Sequence, residues 1–266
     1  MSSNLTHAVQ PIHTHSSDAS LMLFALLLAS VAVIAGAVAA VTGFGAGSLL
    51  TPVLALATGT KLAVAAIAIP HFVGTAQRYW MLRAHVDRRI LAGFGIASAL
   101  GGLSGALLGA RFSSRALSIV FGVLLVLAGI TEFSRWMERV RWGRRAAWIA
   151  GAVSGVLGGL VGNQGGIRTA AMLGFDVPKE SFVATATAIA LFVDGARLPV
   201  YLATQGPEIA AIWPLVLMAT GGVVIGTAFG TRLLGRVPRH IFRRLVAMLL
   251  LVLGAYMIVS GSSSRR

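Results

Sequence analysis

The feature that most limits how this chain can fold is a glycine-rich break that interrupts long apolar stretches twice. The first copy is Gly43-Phe44-Gly45-Ala46-Gly47 in VTGFGAGSLLTPVLAL, and the second is Gly162-Asn163-Gln164-Gly165-Gly166 in LVGNQGGIRTAAMLGF. A helix would continue through either stretch if it were a plain membrane anchor. Each break instead opens the backbone where water is scarce, and unwound backbone at membrane depth is tolerated only where it is buried in protein or lines a wet cavity. Interruptions at matching positions of two halves point to a transporter's binding site. The breaks therefore predict a secondary carrier with all-α architecture.

Composition agrees on the medium. With 56% hydrophobic and 11% charged residues and a mean hydropathy of +0.84, the chain is too apolar for a soluble domain and reads as a polytopic membrane protein. Its apolar runs are 21–42, 48–58, 62–82, 88–110, 116–133, 148–161, 167–175, 181–203, 209–231 and 243–260. Runs of about 20 residues cover roughly 30 Å and cross a bilayer; those at 48–58, 148–161 and 167–175 are too short. A formal charge of +14 would suggest nucleic-acid binding in a soluble protein, but the arginines lie between apolar runs, as in cytoplasmic loops facing anionic lipid. No nucleic-acid partner is expected. The absence of cysteine excludes disulfides, thiol nucleophiles and thiolate metal sites. The polar first twenty residues hold His7, His13 and His15 but no Lys or Arg, so they lack the basic region of a signal peptide and read as a disordered tail. Neither a metal nor a cofactor is expected.

The two halves repeat. At an offset of 119, Gly36, Gly43, Gly47, Leu54, Ala65 and Arg78 fall on Gly155, Gly162, Gly166, Leu173, Ala184 and Arg197. At an offset of 121, Gly101, Gly105, Gly109 and Arg111 fall on Gly222, Gly226, Gly230 and Arg232, a ladder of small residues that lets helices pack closely in lipid. The basic stretch with Arg135, Arg139, Arg141, Arg144 and Arg145 marks the boundary. The expected organisation is a tail (1–20), a first membrane repeat (21–133), a basic cytoplasmic linker (134–146), a second repeat (147–261) and a short tail (262–266). Each repeat is expected to be a glycine-broken re-entrant hairpin followed by three transmembrane helices, about eight hydrophobic units in all. Odd parity then inverts the second repeat relative to the first. That inversion puts fourteen basic residues on the cytoplasmic side and five outside, whereas an ordinary eight-span path divides them ten to nine; the positive-inside rule favours the inversion. The path of 21–42, itself long enough to cross, is left open.

Three basic residues remain inside apolar runs, Arg78, Arg168 and Arg197, against one acid, Asp194. Charges at that depth normally face a cavity or a partner, and the positive surplus favours an anionic substrate. Arg168 follows the second break. Its planar fork, the N–H groups of Gly165 and Gly166, and the side chains of Asn163 and Gln164 would together cradle an oxoanion. Gly45, Gly47, Ser48 and Thr51 offer similar donors at the first break. Asp194 and Arg197, spaced i, i+3, can pair on one helix, whereas Arg78, the repeat mate of Arg197, has Thr75 where the acid would stand. Asp194 and His71 are candidates to carry a coupling proton; a sodium ion is the other choice. Thr185 and Thr187 either line the path or bond to their own helix.

With GFGAGSLLTPVL in the first half and GGLVGNQGGIR in the second, the chain from about residue 30 onward resembles the sulfite exporter TauE/SafE family, the TSUP family of anion permeases. The resemblance implies a multi-pass permease or exporter of the plasma membrane (a bacterial inner membrane) for sulfite, sulfonates or other organic or sulfur oxoanions. It departs from the family where Gln164, Arg168 and Ala171 replace a glycine-rich turn followed by proline. The partners expected are a small anion and the bilayer; a homo-oligomer is left open. An intramembrane enzyme is the rival reading, but a serine mechanism would have to join His71 to distant Ser48 or Ser104. A non-transporting scaffold would leave the duplicated breaks without a use.

Overall fold

The computed structural model describes residues 14–42, 45–134, 144–162, 168, 172, 175, 177–234 and 239–263. Among them the chain is helical, without strands: α1 Thr14–Thr42, α2 Ala46–Thr58, α3 Thr60–Leu82, α4 Arg88–Arg111, α5 Ser114–Ser134, α6 Arg144–Val161, α7 Lys179–Ala211, α8 Trp213–Leu234 and α9 Arg239–Ser263. Six segments are long and apolar enough to cross a bilayer: Met22–Val41, Arg88–Arg111, Ser114–Thr131, Glu180–Ala211, Trp213–Gly230 and Arg244–Ser262. This is a multi-pass membrane protein. Helix α3 has the length, at 23 residues, but carries His71, Gln77 and Arg78. It packs against α2, α7 and α8, and that enclosure lets a helix hold such residues away from lipid.

The glycine ladders decide which helices touch. A Cβ built on Gly105 would stand 2.0 Å from the Val156 carbonyl oxygen, and one on Gly226 2.0 Å from that of Val33. No side chain fits at either place, so α4 lies backbone to backbone against α6, and α8 against α1. The pairings exchange partners between the halves: α1 and α6 are repeat mates, as are α8 and α4. In both pairs residue numbers rise together, Gly222, Gly226 and Gly230 meeting Ala29, Val33 and Ala37, so these helices are parallel. Helices α5 and α9, which are mates of each other, meet the other way, Gly122 on Gly254 and Gly129 on Ala247. Equivalent helices that cross antiparallel require one half to be inverted relative to the other.

The helix ends agree. Lys61 at the start of α3 donates from Nζ to the Ala110 carbonyl at 2.7 Å and from its backbone N–H to Ser114 Oγ at 3.0 Å. Arg115 donates to the Ser262 carbonyl at 3.3 Å. The start of α3, the end of α4, the start of α5 and the end of α9 therefore share one face. At the opposite face the Asp87 N–H donates to Thr185 Oγ1 at 2.8 Å, tying the start of α4 to α7.

Three expectations are adjusted. Stretch 21–42 lies within one continuous helix, α1, which begins at Thr14. The helix before the second break is longer than its apolar run: α6 has 18 residues, about 27 Å of rise, although its apolar part, Trp148–Val161, is short, as is α2. The gap expected at 204–208 is helical, because α7 passes through Pro199 and Pro207 to Ala211; a proline removes one donor, and neighbours in a bundle compensate.

The ladder geometry separates two glycine positions of α8. Gly226→Ala should lower the melting temperature of the purified protein by several degrees, since backbone must move. Gly221→Ala, whose methyl group meets nothing within 4 Å, should not. Equal losses would show that the helices do not approach as described.

Candidate functional site

The two breaks touch. Gly45, which caps α2, and Gly162, at the end of α6, have φ of 110° and 76°, left-handed backbone that glycine adopts without steric cost. A Cβ on Gly47 would stand 2.7 Å from the Gly162 carbonyl oxygen and 3.8 Å from the His71 ring, and the Gly162 position looks onto Val64, Thr51 and Arg197. Ser48 and Thr51 are buried on α2. Asn163, Gln164, Gly165 and Gly166 lie outside the described residues.

The two central helices meet at their midpoints. His71, halfway along α3, shares a 2.7 Å hydrogen bond between Nδ1 and Asp194 Oδ2, halfway along α7. Arg197, one turn on, donates from Nε to Asp194 Oδ1 at 3.0 Å, with Nη2 at 2.8 Å from the same oxygen, and from Nη1 to the Gly158 carbonyl at 2.5 Å. Beyond it Tyr201 donates its hydroxyl to the Gly159 carbonyl, with the Arg197 guanidinium 5.8 Å from its ring centre. Thus α7 bonds to the last turn of α6, just before the second break. Pro70 beside His71 and Pro199 two residues beyond Arg197 interrupt the hydrogen-bond ladder of each central helix near the cluster.

Arg78 repeats the geometry of Arg197 with a neutral partner: its Nη2 donates to Thr75 Oγ1, three residues before it, at 2.9 Å. Among the described residues the Nε and Nη1 atoms of Arg78 have no partner, and neither do Nε and Nη1 of Arg168, although the two residues are only 5% and 2% exposed. Arg168 therefore does not reach the surface. The field of Asp194 acts on Arg78, Arg168 and Arg197, and Arg168 feels both other arginines. Three guanidiniums, one carboxylate and one histidine thus form a single buried cluster with contributions from both halves. With His71 neutral, it holds two positive charges more than negative.

The cluster unites every ionisable candidate from the sequence. The His71–Asp194 contact was not foreseen, nor was Tyr201, although its i+4 spacing from Arg197 was visible. Gln77, with an unpartnered Oε1, and Thr227, with an unpartnered hydroxyl, flank Arg78 and Gly74 and were also missed; only their polarity on otherwise apolar helix faces signalled them. Thr187 is buried and unpartnered, while Thr185 accepts the bond from Asp87.

The protein-family model described as "Sulfite exporter TauE/SafE" matches residues 28–257 of the chain. No curated protein and no solved structure matched it.

Proposed function

The chain belongs to the sulfite exporter TauE/SafE family, a family of membrane transporters, and on that premise we propose that it carries sulfite, a sulfonate or a related small oxoanion across the bacterial inner membrane. The observation that carries this reading is a set of buried guanidinium nitrogens without a partner among the described residues, Nε and Nη1 of Arg78 and of Arg168, one arginine from each half. Buried N–H groups without acceptors are expensive, and a doubly positive excess away from water more so. An oxoanion between them would answer both, since its oxygens can accept charge-assisted hydrogen bonds from the free N–H groups of each arginine. A cation would meet the opposite field.

In this reading Arg78 and Arg168 hold the anion and Arg197 adds its charge while fastened to Asp194. Gly45, Gly47, Ser48 and Thr51 at the first break, and Asn163, Gln164, Gly165 and Gly166 at the second, supply further donors. Asp194 and His71, joined across the halves, are the place for a coupling proton. Substrate access from alternate sides follows from rocking one repeat against the other around the touching breaks. The enzyme reading would need a serine at Nε2 of His71, and the hydrogen bond described for that ring is the one between Nδ1 and Asp194.

The test is uptake of radiolabelled sulfite and a sulfonate into proteoliposomes under an imposed pH gradient, and separately a sodium gradient. Saturable uptake that a proton gradient accelerates is expected. Saturable uptake driven by sodium alone would remove the proton role of Asp194 and His71, and uptake no faster than in protein-free liposomes for every anion would overturn the reading itself.

A further inference from the structure

Where α3 meets α8, Arg78 is not the only residue with polar atoms left unanswered. A Cβ built on Gly74 would stand 2.4 Å from Val223 Cγ1, 3.5 Å from Thr227 Oγ1 and 3.8 Å from Arg78 Nη1. The hydroxyl and the guanidinium nitrogen therefore flank one point and lie no farther apart than the last two distances added together. Two hydrogen bonds of about 2.8 Å, with the width of one small oxoanion between them, span that gap. Thr227 is also held from the side of α1, where a Cβ on Gly36 would stand 3.0 Å from its backbone nitrogen. Gln77 lies one turn from Gly74 on the same face of α3. It donates from Nε2 to the Val224 carbonyl at 3.5 Å, and because a carbonyl accepts only from the amide nitrogen, that bond fixes which end of the amide is Oε1. Among the described residues Gln77 Oε1, Thr227 Oγ1 and Arg78 Nε and Nη1 are buried atoms without a partner. They ask for different things: the arginine nitrogens only donate, the threonine hydroxyl donates or accepts, and the amide oxygen only accepts. Fully ionised sulfite, which carries no hydrogen, would answer the donors and leave Gln77 Oε1 unmet.

We propose that Thr227 and Gln77 select the substrate, an oxoanion that also carries a hydrogen-bond donor, such as hydrogen sulfite or a hydroxylated sulfonate. Its anionic oxygens lie on Arg78 and Thr227, and its donor lies on Gln77 Oε1. The inference rests on the anion-carrier reading above and narrows it to that chemistry. A site built to hydrogen-bond a substrate hydroxyl rejects the analogue that lacks it, because a buried polar atom is then left unpaired. The repeat supplies no second copy of this pair: Thr227 falls on Ala106 at the offset of 121, and Gln77 on Ala196 at 119. Recognition of the donor thus belongs to the Arg78 side of the cluster, and the Arg168 side contributes charge.

The proposal is tested by competition against labelled sulfite on the purified protein, comparing 2-hydroxyethanesulfonate with ethanesulfonate. Both are monoanions, and the hydroxyl is the one difference between them. The parent should bind the hydroxylated sulfonate about tenfold more tightly or better. In Gln77→Leu the ratio of the two affinities should fall to within roughly twofold of one, since the unpaired acceptor is gone. Thr227→Val, of nearly the same shape, should weaken both sulfonates about tenfold and keep their ratio. A residue that served packing alone would change the melting temperature and not the ratio. Where Gln77→Leu fails to fold, Gln77→Met takes its place, and the parent's own preference needs no variant. Equal binding of the two sulfonates by the parent would overturn the proposal, as would a preference that survives the loss of Gln77 Oε1 or parental affinity in Thr227→Val. If labelled sulfite does not bind the parent at all, the function proposed above falls as well, whereas sulfite binding without discrimination between the sulfonates removes this inference alone.

Discussion

Arg197→Ala should lower the melting temperature of the purified protein by roughly 6–12 °C. The change removes both contacts to Asp194 and the bond to the Gly158 carbonyl, leaving a fully buried carboxylate with His71 as its remaining partner. Breaking a buried ion pair by removing one side costs about 3 kcal/mol or more, and each kcal/mol shifts the melting of a domain of this size by about 2–4 °C. Adding Asp194→Asn removes the stranded charge and should recover at least half of the loss. Thermal unfolding in detergent or lipid nanodiscs checks both. If the double variant melts no higher than the single one, the lost stability belongs to Arg197 packing on Tyr201 rather than to the ion pair.

Arg168 and Arg78 should fail in the opposite way. Two guanidine nitrogens of each have no partner among the described residues, and Arg168 sits in the field of Arg78 and Arg197. Replacing either should leave the melting temperature of the anion-free protein unchanged or raise it. Binding should suffer instead. Arg168→Lys keeps the charge and loses the planar fork, and one hydrogen bond to a charged group is worth about 1.5–3 kcal/mol, so sulfite affinity should fall about 10- to 100-fold. Equilibrium binding of labelled sulfite, measured beside the melting curves, reads the two effects separately. A destabilised Arg168→Lys protein with parental affinity would reverse the roles given to Arg168 and Arg197.

Much of this arrangement was legible before the fold was known, because membrane folds leave few ways to use a glycine or an arginine within an apolar run. The breaks, the repeat offsets and the surplus of buried positive charge were all readable, since glycines at close approaches and ionisable residues at depth are expensive unless used. The sequence could not say which helices the ladders join. Small residues announce a close contact without naming its partner, and α1 with α8 and α4 with α6 are contacts between halves. The bond between His71 and Asp194 spans 123 positions and joins residues whose repeat mates, Ala190 and Thr75, carry no charge, so internal symmetry gave no hint of it. The end of α7 was misjudged because Thr204, Gln205, Gly206 and Pro207 have the composition of a turn, yet the helix continues through them. Arg144 and Arg145 read as linker, yet α6 starts at Arg144, since arginine is a good helix former and a basic composition alone does not end a helix.

The central claim is that two arginines from opposite halves hold one anion, and the most direct measurement is the shift in melting temperature that sulfite induces in the parent and in Arg78→Ala/Arg168→Ala. A ligand at one hundred times its dissociation constant stabilises the folded state by about 2.7 kcal/mol, so the parent should melt several degrees higher with sulfite than with chloride of equal ionic strength. The double variant, folded and at least as stable without anion, should show no such rise. A double variant stabilised by sulfite as strongly as the parent would contradict the account, because the anion would then be bound somewhere other than between Arg78 and Arg168.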